Sequence, residues 1–110
     1  MKKFRIEFTD EAKADIVGSY EWGIREWGAG AALKWYRALR SNVRELLTHF
    51  PSSQAIAPVS AELGMEVRQM IFLRYRLLFE IDGKTVRILH LKGPFIDKEL
   101  NSGEIEPLEE

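Results

Sequence analysis

The chain contains no cysteine. That excludes disulfides, thiolate metal sites and a cysteine nucleophile, and it fits a reducing compartment. Its two histidines, His49 and His90, stand far apart and have no carboxylate cluster beside them, so no metal site is signalled. No apolar run approaches the ~20 residues a membrane span needs, and the opening MKKFRIEF carries charge where a signal peptide would need an apolar core. The expectation is a cytoplasmic protein without membrane, metal or small-molecule cofactor. Neither sign of charge dominates: 16 basic residues stand against 17 acidic ones, for a net charge of −1. A domain built to grip nucleic acid is usually more basic than this.

What charge there is lies unevenly. Residues 96–110 hold Lys98 against six acids, while residues 1–95 are net positive. The division this suggests is one domain over residues 1–95 and an acidic tail over 96–110. At 110 residues, 45% of them apolar, the chain is long enough to bury a core without staples. No internal repeat or low-complexity segment interrupts it.

KFRIEF, residues 3–8, alternates with period two and predicts a half-buried strand. Thr9 follows as a helix N-cap, with Asp10 and Glu11 favourably placed in the first turn. From Asp10 to about Trp27 the period becomes helical, with a stripe of Ile16, Val17, Tyr20, Ile24 and Trp27. Gly28 and Gly30 predict a break. A second helix, about Ala31 to Phe50, carries the stripe Ala32, Tyr36, Leu39, Val43, Leu46, Leu47 and Phe50, and Pro51 ends it. The short break implies an antiparallel helical hairpin. Lys34, Arg37, Arg40 and Arg44 share the far side of the second helix. Their simplest role is a solvated face; the alternative is a docking surface for an acidic partner.

Residues 51–64 read as a loop with a helical turn near Ala61. Strands are predicted at about 66–72, 75–81 and 85–91. Asp82-Gly83 signals a two-residue hairpin, which would set Phe79 opposite Val86 and Leu77 opposite Ile88, all under the helices. Tyr75 and His90 would share that face. The uncovered face would then carry Arg76, Leu78, Glu80, Thr85, Arg87, Leu89 and Leu91. This accounts for positive charges in half-buried strands: Arg76 and Arg87 project away from the core, Arg87 with Glu80 diagonal to it and Arg76 without an obvious partner of its own. The fold class is α+β: an N-terminal strand, a two-helix antiparallel hairpin and a three-stranded antiparallel meander, with the helices on one sheet face.

FTDEAKADI, the helical hairpin ending in LLTHFP, and VRQMIFLRYRLLFEIDGKTVRIL together resemble the RelE/ParE superfamily of toxins from bacterial type II toxin–antitoxin systems. The likeness covers about residues 4–92. Its most specific part is Arg68 followed by Tyr75-Arg76 on an apolar strand. The resemblance implies two branches. RelE-like members are nucleases that cut messenger RNA in the ribosome, and there Arg76 and Arg68 would be the catalytic positions. ParE-like members are described as poisons of DNA gyrase. In both, a cognate antitoxin wraps the toxin.

RNA cleavage by 2′-OH attack needs a base, an acid and cationic stabilisation. Where the nuclease branch has a further arginine after the last strand, this chain reads Gly93-Pro94-Phe95-Ile96. The long helices also look ParE-like. The expectation is therefore a ParE-like plasmid-stabilisation toxin that inhibits gyrase and does not act as a catalyst, with antitoxin or target binding at Arg76, Leu78, Arg87, Leu89, Leu91, Arg37, Arg40 and Arg44. The alternatives are a ribosome-dependent endoribonuclease and an inactive toxin-fold binding module.

Overall fold

The computed structural model describes residues 3–93, arranged as a five-stranded mixed sheet with a helical hairpin packed on one face. Strand β1 spans Arg5–Phe8, helix α1 Asp10–Trp27 and helix α2 Ala29–His49. A 3-10 turn at Pro51–Ser53, the two-residue strand β2 (Ala55–Ile56) and the short helix α3 (Ser60–Leu63) make up the stretch that reads as a loop in sequence. Strands β3 (Arg68–Phe72), β4 (Tyr75–Asp82) and β5 (Thr85–Lys92) form the meander. The spatial order is β1-β5-β4-β3-β2, and β1 lies parallel to β5. The α+β expectation holds, with β2 added, and α3 is the helical turn expected near Ala61.

Local chemistry explains the boundaries. The Thr9 hydroxyl accepts a hydrogen bond from the Ala12 N–H at 3.1 Å, satisfying one of the donors a helix start leaves orphaned. Gly28 alone makes the break between the helices, with a φ of +96° that an L side chain resists; Gly30 lies inside α2. The main core joins Leu39, Val43 and Leu47 of α2 to Met70, Leu77, Phe79, Val86 and Ile88 of the sheet.

Helix α1 buries Ala12, Ser19 and Gly23. Its apolar stripe lies to one side of that line: Val17 is 53% and Trp27 44% exposed. Small residues let the two helices approach closely. A Cβ on Gly23 would stand 2.9 Å from the Trp27 ring and 3.4 Å from Ala32 Cβ. Trp22, off the stripe, packs edge-on against Trp27 with ring centroids 5.5 Å apart.

The hairpin differs in register from its sequence signal. Asp82 pairs with Thr85, so the loop is Gly83-Lys84, and only Gly83 takes a positive φ (+61°). That is the glycine requirement of a II′ turn rather than of I′. Ile81 therefore faces Val86 and Phe79 faces Ile88. The pairs slide by two residues, which preserves which side chains share a face.

A β-bulge breaks that regularity. Phe79 pairs with Ile88, but the next pair is Leu78 with His90, so Leu89 is an extra residue in β5. Beyond the bulge the faces swap. Leu91 turns into the main core at 1% exposure, which corrects its placement on the uncovered face. His90 leaves the core face and is exposed. Its Nδ1 lies 3.0 Å from Asp15 Oδ2 on α1, and the same carboxylate oxygen accepts the Leu91 N–H at 3.0 Å. Strand β1 stops opposite Ile88, and Asp15 supplies the edge acceptor that a longer β1 would have given.

Candidate functional site

Two surfaces carry unusual chemistry. The first is the sheet face away from the helical hairpin. Its leucines are covered by the chain itself. Leu78, 7% exposed, packs with Ala57 and Val67, and Leu89 and Val59 lean on that small cluster. Ser60 holds the cover in place: its hydroxyl donates to the Val67 carbonyl at 2.8 Å and accepts from the Val67 N–H at 2.9 Å. Leu78 thus belongs to the core of a second layer, with Leu89 half-buried against it, and the expectation that the two form an open docking face is corrected.

The two arginines of this face meet opposite fates. Arg87 lies directly across from Glu80 and donates to Glu80 Oε2 at 2.7 Å. Asp82 at 3.5 Å and Glu7 at 3.8 Å complete its surroundings. The hydrogen bond to Glu80 is the main cause that raises the Arg87 pKa above its ordinary value. Arg76 lies across from Lys92, another cation, and across from Ile71 on its other side. Among the described residues neither Arg76 nor Lys92 forms an ion pair. Both line a cleft of about 380 Å³ walled by Ala57, Pro58, Val59 and Leu78, with Glu62 of α3 at its edge.

Arg68 does not join Arg76. It pairs with Phe79, whose side chain is in the main core, whereas Arg76 pairs with Ile71 on the opposite face. Alternation along β3 and β4 therefore sends the two arginines to opposite sides of the sheet. Arg68 is also fully engaged at one end: Nη1 donates to the carbonyls of Gln54 (2.6 Å) and Ser52 (3.1 Å), and Nη2 pairs with Glu66 at 2.7 Å. It ties the segment after α2 onto β3. Tyr75 is buried beside Trp35, centroids 5.0 Å apart, and burial raises its pKa. Gly93 follows from this: a Cβ there would collide with the Cδ2–Cε2 edge of the Tyr75 ring. Pro94 and Phe95 lie outside the described residues.

The second surface is a groove of about 570 Å³ between α1 and α2. Phe8, Leu39 and Val43 line its depth, and Ile16, Val17, Tyr20, Leu33 and Tyr36 its sides. Lys13 and Arg40 stand at the rim, the Arg40 guanidinium 5.8 Å from the Tyr36 ring centroid. The sequence placed Ile16, Val17 and Tyr20 on one helical stripe and Tyr36, Leu39 and Val43 on another; a groove emerges because α1 turns its small residues, rather than its stripe, toward its neighbours. Arg37 and Arg44 are exposed on α2 without an ion pair among the described residues.

No group of three or more potential metal ligands occurs among the described residues, and no described helix is long and apolar enough to cross a membrane. A solved structure titled "Chromosomal ParDE TA system from P. aeruginosa" shares this fold, with a TM-score of 0.67 at 21% sequence identity, over 83% of this chain and 96% of that one. No curated protein matches the sequence significantly. Residues 6–92 match the family described as ParE toxin of type II toxin-antitoxin system, parDE. The chain belongs to that family of toxins.

Proposed function

We propose that this toxin acts by binding, with DNA gyrase as its target, and that a cognate antitoxin segment neutralises it. The carrying observation is the separation of Arg68 and Arg76. A ribonuclease centre needs its cationic and acid–base groups around one phosphate. Here the two arginines leave opposite faces of the sheet, and Arg68 is held by Ser52, Gln54 and Glu66. Glu80, the nearest acid–base candidate by sequence, is bound to Arg87. The groove between α1 and α2 supports the antitoxin part of the reading. An apolar channel with basic residues at the rim suits an amphipathic helix whose polar face is acidic. Arg37 and Arg44, both exposed on α2, add positive charge before and after Arg40 in the same helix.

Purified protein should inhibit gyrase supercoiling or trap cleaved DNA, and antitoxin should relieve the effect. Absence of any effect at saturating protein refutes the gyrase target. Expression in cells should give filamentation with intact messages. The ribonuclease reading keeps one observation in its favour, the unpaired Arg76 in its cleft. It requires codon-specific message cleavage that Arg76→Ala abolishes. Tight antitoxin binding without growth arrest would instead identify a non-toxic binding module.

A further inference from the structure

Like charges directly opposite each other on neighbouring strands repel, and sheets normally avoid them. Arg76 and Lys92 are such a pair, half-buried on one wall of the 380 Å³ cleft. Arg87, on the same face, shows the usual remedy: the strand beside it supplies Glu80. Among the described residues no carboxylate does this for Arg76 or Lys92. Side chains directly opposite have Cβ atoms ~5 Å apart, so both heads reach a single anion set between them.

The rest of the lining narrows the choice of anion. Ala57, Pro58, Val59 and Leu78 make an apolar wall, and Glu62 of α3 is exposed at the edge. Glu62 would repel an acidic peptide laid along the cleft. It accepts hydrogen bonds from neutral donors, such as a sugar hydroxyl or a base amino group. A cation pair, an apolar wall and a carboxylate acceptor match the three parts of a nucleotide: its phosphate, the face of its base and its ribose. The charge count decides which kind of phosphate. A phosphodiester link carries a single negative charge, whereas a phosphomonoester carries about 1.5–2 at pH 7 and offers three acceptor oxygens. Arginine grips two such oxygens as a planar fork, and lysine meets the third as a point charge. We infer that the cleft between Arg76, Lys92 and the loop at residues 57–59 is a binding site for the phosphomonoester of a nucleotide, either free or at the end of a nucleic-acid strand. This goes beyond the toxin reading and does not depend on it.

The test is calorimetric titration of the full chain with adenosine monophosphate, and separately with adenosine, which lacks the phosphate. The monophosphate should bind saturably and about tenfold or more tightly than adenosine, as expected for a hydrogen bond to a charged group. Arg76→Met and Lys92→Met should each weaken it by a similar factor. Both substitutions relieve the repulsion across the strands, so both variants should melt no lower than the native chain. No saturation at millimolar monophosphate overturns the inference. So does adenosine binding equally well, a comparison that needs no variant, and so does full affinity in either methionine variant. Competition identifies the source of the phosphate. Displacement by an end-phosphorylated oligonucleotide, but not by its unphosphorylated twin, assigns the site to a strand end; displacement by neither assigns it to the free nucleotide. Equal displacement by both overturns the monoester assignment. Tighter binding of a peptide rich in aspartate and glutamate overturns the nucleotide. The readout involves neither gyrase nor growth, so its failure and that of the toxin reading are distinguishable.

Discussion

Arg76 and Arg87 project from one face of one sheet, yet they differ in almost every physical respect. Arg87 lies among three carboxylates and is held across the strands by Glu80. Arg76 faces a second cation over a cleft. The first arrangement is saturated: a ligand would have to break a charge-assisted hydrogen bond to use Arg87. The second is open. Residue type and face are therefore poor guides to a binding role; what decides is whether the neighbouring strand has already supplied the counter-charge. On this ground Arg87 is a structural cation, while Arg76 remains a candidate for contact.

Four measurements break or sharpen the contrast. The largest effect is expected next to the open end. Gly93→Ala would force a methyl group into the Tyr75 ring, and overpacking of this kind costs about 1–3 kcal/mol. A urea midpoint equal to that of the native chain would show that β5 ends otherwise. Next comes the pair Arg87→Met and Arg76→Met. The first leaves Glu80 and its acidic neighbours without their cation, so its melting temperature should fall, with a smaller deficit at high salt. The second removes the repulsion between Arg76 and Lys92, so unfolding stability should match the native chain or exceed it by up to about 1 kcal/mol. Equal losses would erase the distinction between the two arginines.

Leu73 provides the third. It occupies the β3–β4 turn at φ +55° with 71% of its surface exposed. A left-handed conformation costs a non-glycine residue roughly 1–2 kcal/mol. Leu73→Gly should stabilise the fold by less than about 1 kcal/mol, since glycine also loses more freedom on folding. A lower urea midpoint would mean that Leu73 makes contacts worth more than its strain. The fourth concerns Tyr75, whose pKa is raised by burial. Folding then holds the phenol neutral, and that contribution is complete below pH ~10, where the unfolded phenol titrates, and is lost as pH rises through the folded value. Stability should decline above pH ~10, and Tyr75→Phe should decline less.

Much of the architecture was legible in the sequence because it rests on local signals. Thr9 caps, Pro51 stops, and the period changes from two to about 3.6 at Asp10. Even the misplaced hairpin turn left the faces of Leu77, Phe79, Val86 and Ile88 intact, because a slip by two residues conserves side-chain direction. The bulge at Leu89 was not legible. Nothing in VRILHLK marks an extra residue, and its position answers to Thr9 and Asp15, more than seventy residues earlier. His90 and Leu91 were therefore assigned to each other's faces. Helix α1 misled for a different reason. Its largest apolar residues form the most visible stripe, but close packing against α2 uses Ser19 and Gly23, which hydrophobic periodicity does not register. For the candidate site, Arg76 and Arg87 stood out, and Glu80 was already legible as a neighbour of Arg87 alone; that Glu80 lies directly across from Arg87, and Lys92 across from Arg76, depended on the cross-strand register. The cover over Leu78 came from a segment whose prolines and serines suggested a loop with one helical turn, without showing that it folds over the sheet.

The parallel pairing of β1 with β5 has a consequence in time. Arg5 to Phe8 align with Thr85 to Ile88, and the single Thr9 hydroxyl proton is shared between the Ile88 and Leu89 carbonyls, at 3.0 and 3.1 Å. Strand β1 leaves the ribosome long before β5 and finds its sheet partner only when β5 has followed. Until then the helical hairpin has no complete sheet to pack on, and long-range pairing of this kind is slow. A nascent chain lacking β5 is thus a chain without its finished surfaces, so the fold itself delays the appearance of both the cleft and the completed sheet until synthesis has passed residue 92.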